Sequence, residues 1–247
     1  MKINNCFFIP ARAGSKGIKN KNTQDLLGSM LFEWSFFLAS KVMNNNDCIA
    51  ISTDCPVIEM WFNELIKKNE DKIYLRLRPS NLCEDESSTE SAMIDTYKFL
   101  YTDGIEISNF VLLQPTSPFR TDNILQKSLN EFYKNECLIP VFTAKKDTPF
   151  IWKNINDTLS SPDYPFNKRK MRQALNNSEY IFHEDGNVYI CSVADLLANT
   201  NRLKEKSIVI ENSFINSIQI DSEEDLDLCR FLSQKESISK WMTQIRY

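Results

Sequence analysis

The segment at residues 9–22 constrains the fold most strongly, because it places two glycines and four cations directly after an apolar run. The run, residues 6–9, has the length and composition of a buried strand. Gly14 and Gly17 permit positive φ, so the backbone can curl and turn several N–H groups toward one point. The cations are Arg12, Lys16, Lys19 and Lys21. This composition indicates an anion site, best suited to a polyphosphate; the alternative is a solvated basic turn.

The glycine spacing separates this loop from two common phosphate motifs. A Walker loop requires G-x-x-x-x-G-K-[ST], whereas Lys16 precedes Gly17 here and no Ser or Thr follows a Gly-Lys pair. A dinucleotide fingerprint requires G-x-G-x-x-G, and the chain has only the Gly14-x-x-Gly17 half. The sequence therefore predicts a phosphate loop of another kind.

Composition bounds the class of protein. The 247 residues, 42% hydrophobic and 25% charged, are ordinary for a globular chain of one large domain, or of one domain with a substantial insertion. The net charge of −4 argues against a general nucleic-acid binder, and the cations concentrate at 12–21 and 168–172. Local basicity in an acidic chain suits a small anionic ligand.

The seven cysteines predict a reducing compartment. The chain contains no C-x-x-C, and it has a single histidine, His183. Most cysteines lie in apolar runs, where a free thiol behaves as a small hydrophobe, so we expect neither a zinc site nor disulfides. No charged-then-apolar leader and no run of membrane-spanning length occur. We therefore expect a cytoplasmic protein without a membrane or nucleic-acid partner.

Periodicity predicts strands that alternate with helices. The predicted strands lie at 6–9, 49–54, 73–77, 110–114, 137–143, 186–191, 207–210 and 216–220. The predicted helices lie at about 30–44, from 56 onward, and at about 89–101, 122–134 and 222–233. This alternation indicates an α/β fold with a mainly parallel sheet flanked by helices. The pattern fails at about 145–184, which we interpret as an inserted lobe, and it is weak from 235 onward.

Three of the predicted strands end in polar residues. The basic loop follows the first strand, Ser52-Thr53-Asp54 ends the second, and Gln114-Pro115-Thr116-Ser117 ends the fourth. Ligands of parallel sheets bind at the carboxyl ends of the strands, so we expect these segments on one rim. Their convergence favours a ligand site over a solvated basic turn.

Three blocks of the chain occur together in a known family. They are 9–17 with Lys21-Asn22, 113–120 and 218–221. In these blocks the chain resembles the CMP-sialic acid synthetases, which are cytidylyltransferases of the acylneuraminate type. The resemblance implies one cytidylyltransferase domain over 1–247, with a nucleotide-diphospho-sugar transferase (Rossmann-like) fold. The lobe at 145–184 resembles the family least; it is rich in Pro, Tyr, Phe and Trp but has little regular pattern to bury them, so we expect an inserted dimerisation lobe and a homodimer.

The resemblance implies a reaction. Members of the family make a CMP-sugar from CTP and a nine-carbon 2-keto sugar acid, a nonulosonic acid such as sialic, legionaminic or pseudaminic acid, and release pyrophosphate. This step requires in-line positioning, neutralisation of phosphate charge, and Mg²⁺ or another divalent cation. The divergent lobe and the turn at 185–187 favour a bacterial variant over a strict sialic acid enzyme.

Two other interpretations remain open at this point. One is a nucleotidyltransferase that uses another nucleotide or another acidic sugar such as Kdo, although the CMP-Kdo synthetases have a different loop sequence. The other is a nucleotide-binding homologue that has lost catalysis.

The resemblance also implies a nucleotide site. The triphosphate-binding positions of the family match Arg12, Ser15, Lys16, Lys21 and Asn22 of this chain. The segment that recognises cytosine and ribose matches Arg78, Asp85, Ser88 and Thr89. The alternative for Arg78 is a surface cation before a proline. Arg12, Lys21 and Asp221 are the expected catalytic residues.

The positions that face the sugar in the family match Gln114, Ser117, Tyr189 and Arg172. Each has a simpler interpretation: a Pro-Thr-Ser-Pro turn for the first two, packing for the tyrosine, and a solvated basic run for the arginine. In the family, an arginine of the dimerisation lobe reaches into the partner's site, where its planar fork suits the sugar carboxylate.

The metal site departs from the family pattern. The family usually has Asp-x-Asp where this chain has Gln219-Ile220-Asp221. Alternate residues of a strand share a face, so we expect Gln219 and Asp221 to point the same way. We expect Asp221 to be the main protein ligand of Mg²⁺ and Gln219 a weaker or water-mediated one, with triphosphate and water completing the shell. The alternative for Asp221 is to cap the helix at 222–233.

Overall fold

A computed structural model describes residues 1–14, 16–67, 72–161 and 164–246 of the chain. Its strands are β1 (Lys2–Pro10), β2 (Asp25–Leu26), β3 (Ser29–Met30), β4 (Cys48–Thr53), β5 (Ile73–Leu77), β6 (Glu106–Leu112), β7 (Val141–Asp147), β8 (Lys153–Ile155), β9 (Thr158–Ser160), β10 (Ile181–Ser192) and β11 (Ile208–Asn212). Its helices are α1 (Leu31–Val42), α2 (Pro56–Ile66), α3 (Thr89–Thr102), α4 (Asp122–Lys134), α5 (Val193–Asn199), α6 (Glu223–Ser233) and α7 (Glu236–Arg246).

The described residues form a seven-stranded sheet in the order β11-β7-β10-β6-β1-β4-β5, with β2–β3 and β8–β9 as separate pairs. Strand β1 pairs in parallel with β4 and β6, β4 with β5, and β7 with β11. Strand β10 runs antiparallel to both β6 and β7. The predicted α/β fold with a mainly parallel sheet is confirmed. Because β6, β1 and β4 are neighbours and parallel, their carboxyl ends meet at one edge.

Side chains along β1 alternate between the two faces of the sheet. Phe7 and Ile9 pack with α1, α2 and α4 on one face, whereas Cys6 and Phe8 pack with α3 and α5 on the other. All four side chains are fully buried. Both faces are therefore covered by helices, as is usual for parallel strands.

A third apolar cluster lies under the basic loop. It joins Ile18 and Leu26 to Phe119 and Ile220 and to the buried faces of α6 and α7. The loop is therefore held by β1 at its start and by this cluster beyond it.

Most predicted elements are present, with two shifts around the lobe. The predicted helices match the observed ones to within one or two residues. The strand predicted at 137–143 is the later β7, because Glu136 and Cys137 form a turn with φ values of 55° and 60°. The irregular lobe predicted at 145–184 is wrong at its ends, where β7 and β10 pair through residues 144–147 and 181–184.

Two expectations change near the C-terminal end. Residues 216–220, all of them described, form the end of a turn at 216–217 and an irregular segment at 218–220 rather than the predicted strand. The Ser217 and Ile218 N–H groups donate to carbonyl oxygens three or four residues earlier, and the Ile220 N–H donates to the Thr116 carbonyl oxygen at 2.8 Å. The tail beyond 235, where the sequence pattern is weak, forms α7.

The cysteines support the interpretation of buried thiols. All seven lie within the described ranges and are free. Cys6 and Cys48 are opposite each other on β1 and β4, and burial raises the pKa of the Cys6 thiol.

Within the described residues, no helix combines the length and apolar character that a bilayer crossing requires.

Candidate active site

A cavity of about 360 Å³ lies at the edge of the sheet where β1 and β6 end. The basic loop contributes Arg12, Lys16, Gly17, Lys21 and Asn22 to its wall. More distant parts of the chain contribute Arg78, Ser88, Thr89, Gln114 and Asp221. Ser15 lies outside the described residues. The fold therefore brings most of the sequence-predicted nucleotide residues together.

The end of β4 supports the start of the loop. The Ala11 N–H donates to the Ser52 carbonyl oxygen at 2.9 Å, and the Thr53 hydroxyl donates to the Ala11 carbonyl oxygen at 2.6 Å. The Asp54 carboxylate accepts from the Ala13 N–H at 2.6 Å. The three strand ends meet as predicted, and β4 contributes by holding the loop backbone.

The loop requires Gly17 for close approach rather than for positive φ. Neither Gly14 nor Gly17 has a left-handed φ; Asn20 adopts that conformation, with φ 54°. A Cβ on Gly17 would lie 2.1 Å from the Asp221 carbonyl oxygen. The expected positive φ at the glycines is therefore wrong, because the loop turns at Asn20 and Gly17 instead packs against the segment before α6.

Arg12 and Lys16 share one carboxylate. Arg12 Nη2 lies 2.8 Å from Asp85 Oδ1, and Lys16 Nζ lies 3.1 Å from Asp85 Oδ2. Hydrogen bonds from Lys16 and Arg12 lower the pKa of Asp85 below its ordinary value, so this carboxylate is ionised at neutral pH. The structure places Asp85 against the loop cations, whereas the sequence assigned it to cytosine and ribose recognition.

Lys21 is the most enclosed of the three basic-loop cations that line the cavity, with its side chain 14% exposed against 26% for Arg12 and 77% for Lys16. Its ammonium donates to the Ile220 carbonyl oxygen at 2.9 Å and to Asp221 Oδ1 at 3.1 Å. The Asn22 side chain is buried and donates to the Arg12 carbonyl oxygen at 2.9 Å. Lys21 therefore has a fixed direction, and Asn22 holds the loop that presents it.

The second part of the wall comes from Arg78 and from the start of α3. Arg78 donates from Nε to the Ser52 hydroxyl and from Nη2 to the Ser52 carbonyl oxygen, each at 3.1 Å, and burial lowers its pKa. It lines the cavity rather than the open surface. Ser88 caps α3 by accepting from the Ser91 N–H at 3.1 Å. Ser88 and Thr89 thus place the positive end of a helix dipole at the cavity.

The turn after β6 presents Gln114 to the cavity and buries Ser117. Ser117 is 1% exposed, and its hydroxyl donates to the Asp185 carbonyl oxygen at 3.4 Å. Its N–H donates to the Gln114 carbonyl oxygen at 3.2 Å. The contacts of Ser117 in this chain are those of a turn residue beneath the site.

Tyr189 and Arg172 are not part of the described cavity wall. Tyr189 is buried; its hydroxyl donates to Glu184 Oε2 at 2.9 Å and its ring stacks on Phe142 with centroids 6.2 Å apart. Burial, with the contact to Glu184, raises the pKa of Tyr189 to about 12. Arg172 is exposed in a 3-10 turn of the lobe. Within one chain, therefore, Tyr189 packs and Arg172 remains outside the site.

Gln219 and Asp221 contact different neighbours. A Cβ on Gly186, which has φ +62°, would lie 1.6 Å from Gln219 Nε2 and 2.6 Å from Gln114 Oε1, so both amides pack onto this glycine. Asp221 instead faces Lys21, and 71% of its side chain is exposed. The prediction of a shared face depended on a strand at 216–220, and the structure has no strand there. Across the described residues, no group of three or more His, Cys, Asp or Glu side chains is arranged to hold a metal ion.

Helix capping at α6 is performed by Ser222 rather than by Asp221. The Ser222 hydroxyl accepts from the Asp225 N–H at 3.2 Å, and the Asp225 carboxylate accepts from the Asp221 N–H at 3.0 Å. The alternative role predicted for the Asp221 side chain is therefore wrong, and its carboxylate is left at the cavity beside Lys21.

A buried arginine below the cavity was missed as a site residue in the sequence. Arg120 is 2% exposed and donates from Nη2 to the Gln114 carbonyl oxygen at 2.9 Å and from Nη1 to the Ser35 hydroxyl at 3.0 Å. Its Nε donates to the carbonyl and side-chain oxygens of Asn187 at 2.6 and 2.9 Å. Burial lowers the pKa of Arg120 to about 9, so it remains charged at neutral pH. Arg120 therefore links the Gln114 turn to the irregular stretch of β10 between Glu184 and Tyr189, which contains Gly186. The turn predicted at 185–187 is wrong, because these residues lie within β10.

The sheet order and the cationic cavity at its edge are those of a nucleotidyltransferase. The profile of the cytidylyltransferase family matches residues 6–240, and the chain therefore belongs to that family.

Individual relatives share less than a third of their residues with the chain. The N-acylneuraminate cytidylyltransferase of Escherichia coli is 28% identical over 239 residues, which cover 94% of this chain and 52% of that protein. The pseudaminic acid cytidylyltransferase of Campylobacter jejuni is 23% identical over a match that covers 93% of this chain and 96% of that protein. The CMP-N,N'-diacetyllegionaminic acid synthase of Legionella pneumophila is 28% identical, with 92% and 94% covered. The chain thus spans about half of the first relative and nearly all of the other two.

Solved structures support the fold. The structure of CMP:2-keto-3-deoxy-manno-octonic acid synthetase complexed with CTP has a TM-score of 0.63 at 17% identity, covering 94% of this chain and 99% of that one. The 4-diphosphocytidyl-2C-methyl-D-erythritol synthase of Anaerococcus prevotii has a TM-score of 0.64, also at 17% identity, covering 94% and 97%. At these identities the likeness concerns the fold alone.

Proposed function

We propose that this protein transfers the CMP group of CTP to a nine-carbon 2-keto sugar acid and releases pyrophosphate. The observation that supports this most directly is the cavity in which Arg12, Lys16 and Lys21 meet Arg78 and the N-terminus of α3. Several cations and a helix N-terminus around one cavity favour a polyphosphate. The cytidine and the sugar acid are inferred from the activities named for the relatives.

In the proposed reaction, the anomeric hydroxyl of the acid attacks the α-phosphorus as the bond to the β-phosphate oxygen breaks. Negative charge then accumulates on the departing pyrophosphate. Arg12 and Lys21 are the proposed catalytic cations, because fixed charges stabilise that accumulation more than they stabilise bound CTP. Lys16, Asn22 and Ser15 are proposed to hold the triphosphate in line.

The remaining site residues have proposed binding roles. Arg78, Ser88 and Thr89 are proposed to contact the nucleoside from their side of the cavity. Gln114 is the proposed contact to the sugar, and Ser117 and Tyr189 are proposed to support the sugar subsite through their buried contacts.

The donor set suits a divalent cation that arrives with the triphosphate. Mg²⁺ usually keeps several waters and binds one or two carboxylates together with substrate phosphates. Asp221 offers one exposed carboxylate at the cavity wall. We propose that Asp221 holds the ion and that Gln219, packed on Gly186, acts at most through water. When bound, the ion would neutralise phosphate charge.

Replacing Asp221 by Asn is expected to raise the Mg²⁺ concentration for half-maximal activity by about tenfold or more, because the amide contributes no charge to the ion. Pyrophosphate release measured across a Mg²⁺ titration tests this. Glu224→Gln, an exposed carboxylate at the start of α6, is the matched control and is expected to leave the titration unchanged. Normal activity of Asp221→Asn at limiting Mg²⁺ would rule out the assignment.

The function itself is tested by pyrophosphate release with CTP, Mg²⁺ and a panel of sialic, legionaminic, pseudaminic and Kdo acids. Release with at least one nine-carbon acid is the expected result, and the preferred acid identifies the substrate. Release with UTP or GTP but not CTP would favour another nucleotidyltransferase, and release with Kdo alone would favour an eight-carbon acid. Binding of CTP without turnover on any acid would favour a non-catalytic homologue.

We further propose that the active form is a homodimer assembled through the lobe at 145–184. The most exposed large apolar side chains described there are Trp152, Leu159, Phe166 and Met171, with exposures from 52% to 78%. Arg172 follows this apolar group and is proposed to reach the sugar carboxylate in the partner's cavity. Sedimentation at micromolar concentration should report a dimer, and a monomer would contradict the proposal.

The free thiols support a proposed cytoplasmic location, because disulfides are rare in reducing compartments.

A further inference from the structure

The carboxylate of Asp85 contacts two of the loop cations that line the cavity. It bridges Arg12 Nη2 at 2.8 Å and Lys16 Nζ at 3.1 Å, one cation to each carboxylate oxygen. Both cations belong to the cavity wall, and Asp85 is separated from Arg12 by 73 residues in sequence. This arrangement is therefore a tertiary contact made by the segment before α3, rather than a local pairing within the loop.

The same segment occupies more of the Arg12 guanidinium. Arg12 Nη1 donates to the carbonyl oxygens of Cys83 and Glu84 at 3.1 and 2.9 Å. A terminal guanidinium nitrogen has two hydrogens, so Nη1 is fully used and Nη2 has one remaining. A phosphate that binds Arg12 end-on, through both Nη1 and Nη2, must displace at least part of the 83–85 segment.

We propose that Asp85 is an internal competitor that holds the place of a phosphate on Arg12 and Lys16 until a polyphosphate displaces it. This rests on the proposed function in that CTP is the ligand assumed to arrive. A carboxylate and a phosphate oxygen make the same charge-assisted hydrogen bonds to these two cations, so they exclude each other. The apparent affinity for polyphosphate is then reduced by the fraction of molecules in which Asp85 is bound.

This role and the role that the family resemblance implies predict opposite changes in CTP affinity when Asp85 is removed. If Asp85 recognises cytosine or ribose, its removal weakens CTP binding and leaves a ligand without a nucleoside unaffected. If Asp85 competes, its removal strengthens binding of CTP and of inorganic tripolyphosphate alike, because both use the same cations. If its ion pairs only support the fold, neither affinity changes.

The test is calorimetric titration of Asp85→Asn and wild type with inorganic tripolyphosphate and with CTP at low ionic strength. Exposed ion pairs each contribute little, so releasing two of them should tighten binding of both ligands by about three- to tenfold. The control is Glu86→Gln, which removes the same charge from the exposed neighbouring residue and should change affinity by less than about twofold.

Unchanged or weaker tripolyphosphate binding by Asp85→Asn would overturn the proposal, as would an equal gain in Glu86→Gln, which would indicate a general charge effect. The tripolyphosphate measurement does not depend on CTP being the substrate. Tighter tripolyphosphate binding together with failure of the pyrophosphate-release panel would therefore support the competitor and reject the proposed function. Unchanged tripolyphosphate binding together with pyrophosphate release from the panel would support the proposed function and reject the competitor role of Asp85.

Discussion

Replacing Lys21 by methionine is expected to lower kcat/KM for CMP transfer by roughly 10²–10³-fold, the usual cost of removing one fixed charge from a transition state. The Lys21 side chain is only 14% exposed, and its ammonium is aimed by the Ile220 carbonyl oxygen. Removing it also leaves the Asp221 carboxylate without its partner at the cavity, where it would repel the triphosphate. Steady-state pyrophosphate release with saturating acid measures the loss.

Lys19→Met is the matched control for this prediction. Lys19 has the same charge two positions away, and its side chain is exposed and outside the described cavity wall. We expect a change of less than about twofold, because an exposed charge is screened by solvent and salt. A loss of less than about tenfold in Lys21→Met would contradict the catalytic role of this lysine.

The basic loop and its place at the edge of the sheet could be predicted from the sequence because their determinants are local. Arg12, Lys16 and Lys21 lie within a short distance of a strand whose apolar run is unambiguous. The rule that parallel strands present their carboxyl ends at one edge then placed Gln114 on the same rim without any knowledge of contacts. Both features depend on composition and strand polarity, which a sequence displays directly.

The pairing of Asp85 with the loop could not be predicted in this way. An acidic residue in an irregular segment has no periodicity, and its partner is 73 residues away. The packing of Gln219 on Gly186 is hidden for the same reason, because a close contact between a glycine of β10 and a distant amide has no pattern in either segment. Contacts of this kind depend on how elements dock, which is determined by the whole fold.

The strand predicted at 216–220 is absent for a specific physical reason. Ile218 and Ile220 alternate as they would in a strand, and both are buried. They are buried against Phe119 and helix α6 rather than on a pleated sheet, and Ile220 makes its backbone contact with Thr116. Alternation reports which side chains are buried and not whether a neighbouring strand is present. Helix α7, by contrast, could have been found, because Ile238, Met242 and Ile245 recur at helical spacing.

Replacing Arg120 by methionine is expected to lower the free energy of unfolding by about 3 kcal/mol or more, the cost of removing one charge from a buried polar network. The substitution leaves the Asn187 carbonyl oxygen and the Ser35 hydroxyl without the Arg120 donor. The Gln114 carbonyl oxygen loses one donor and keeps the Ser117 N–H. It also leaves Asp185, which is 3% exposed, without the nearby positive charge that balances its carboxylate. Urea denaturation followed by circular dichroism measures the change.

A double-mutant cycle separates the network from simple loss of volume. Asp185→Asn removes the opposing charge, so the Arg120→Met/Asp185→Asn double variant should be less destabilised than the sum of the single changes. Arg230→Met is the control: Arg230 pairs with Asp227 on the surface of α6, and its loss should cost less than about 1 kcal/mol. A small effect at Arg120, or strict additivity with Asp185, would contradict a charged network. Arg120 holds the Gln114 carbonyl oxygen, so the folded Arg120→Met protein should also show a raised KM for the sugar acid. Such an increase would link the stability of this network to the shape of the proposed sugar subsite.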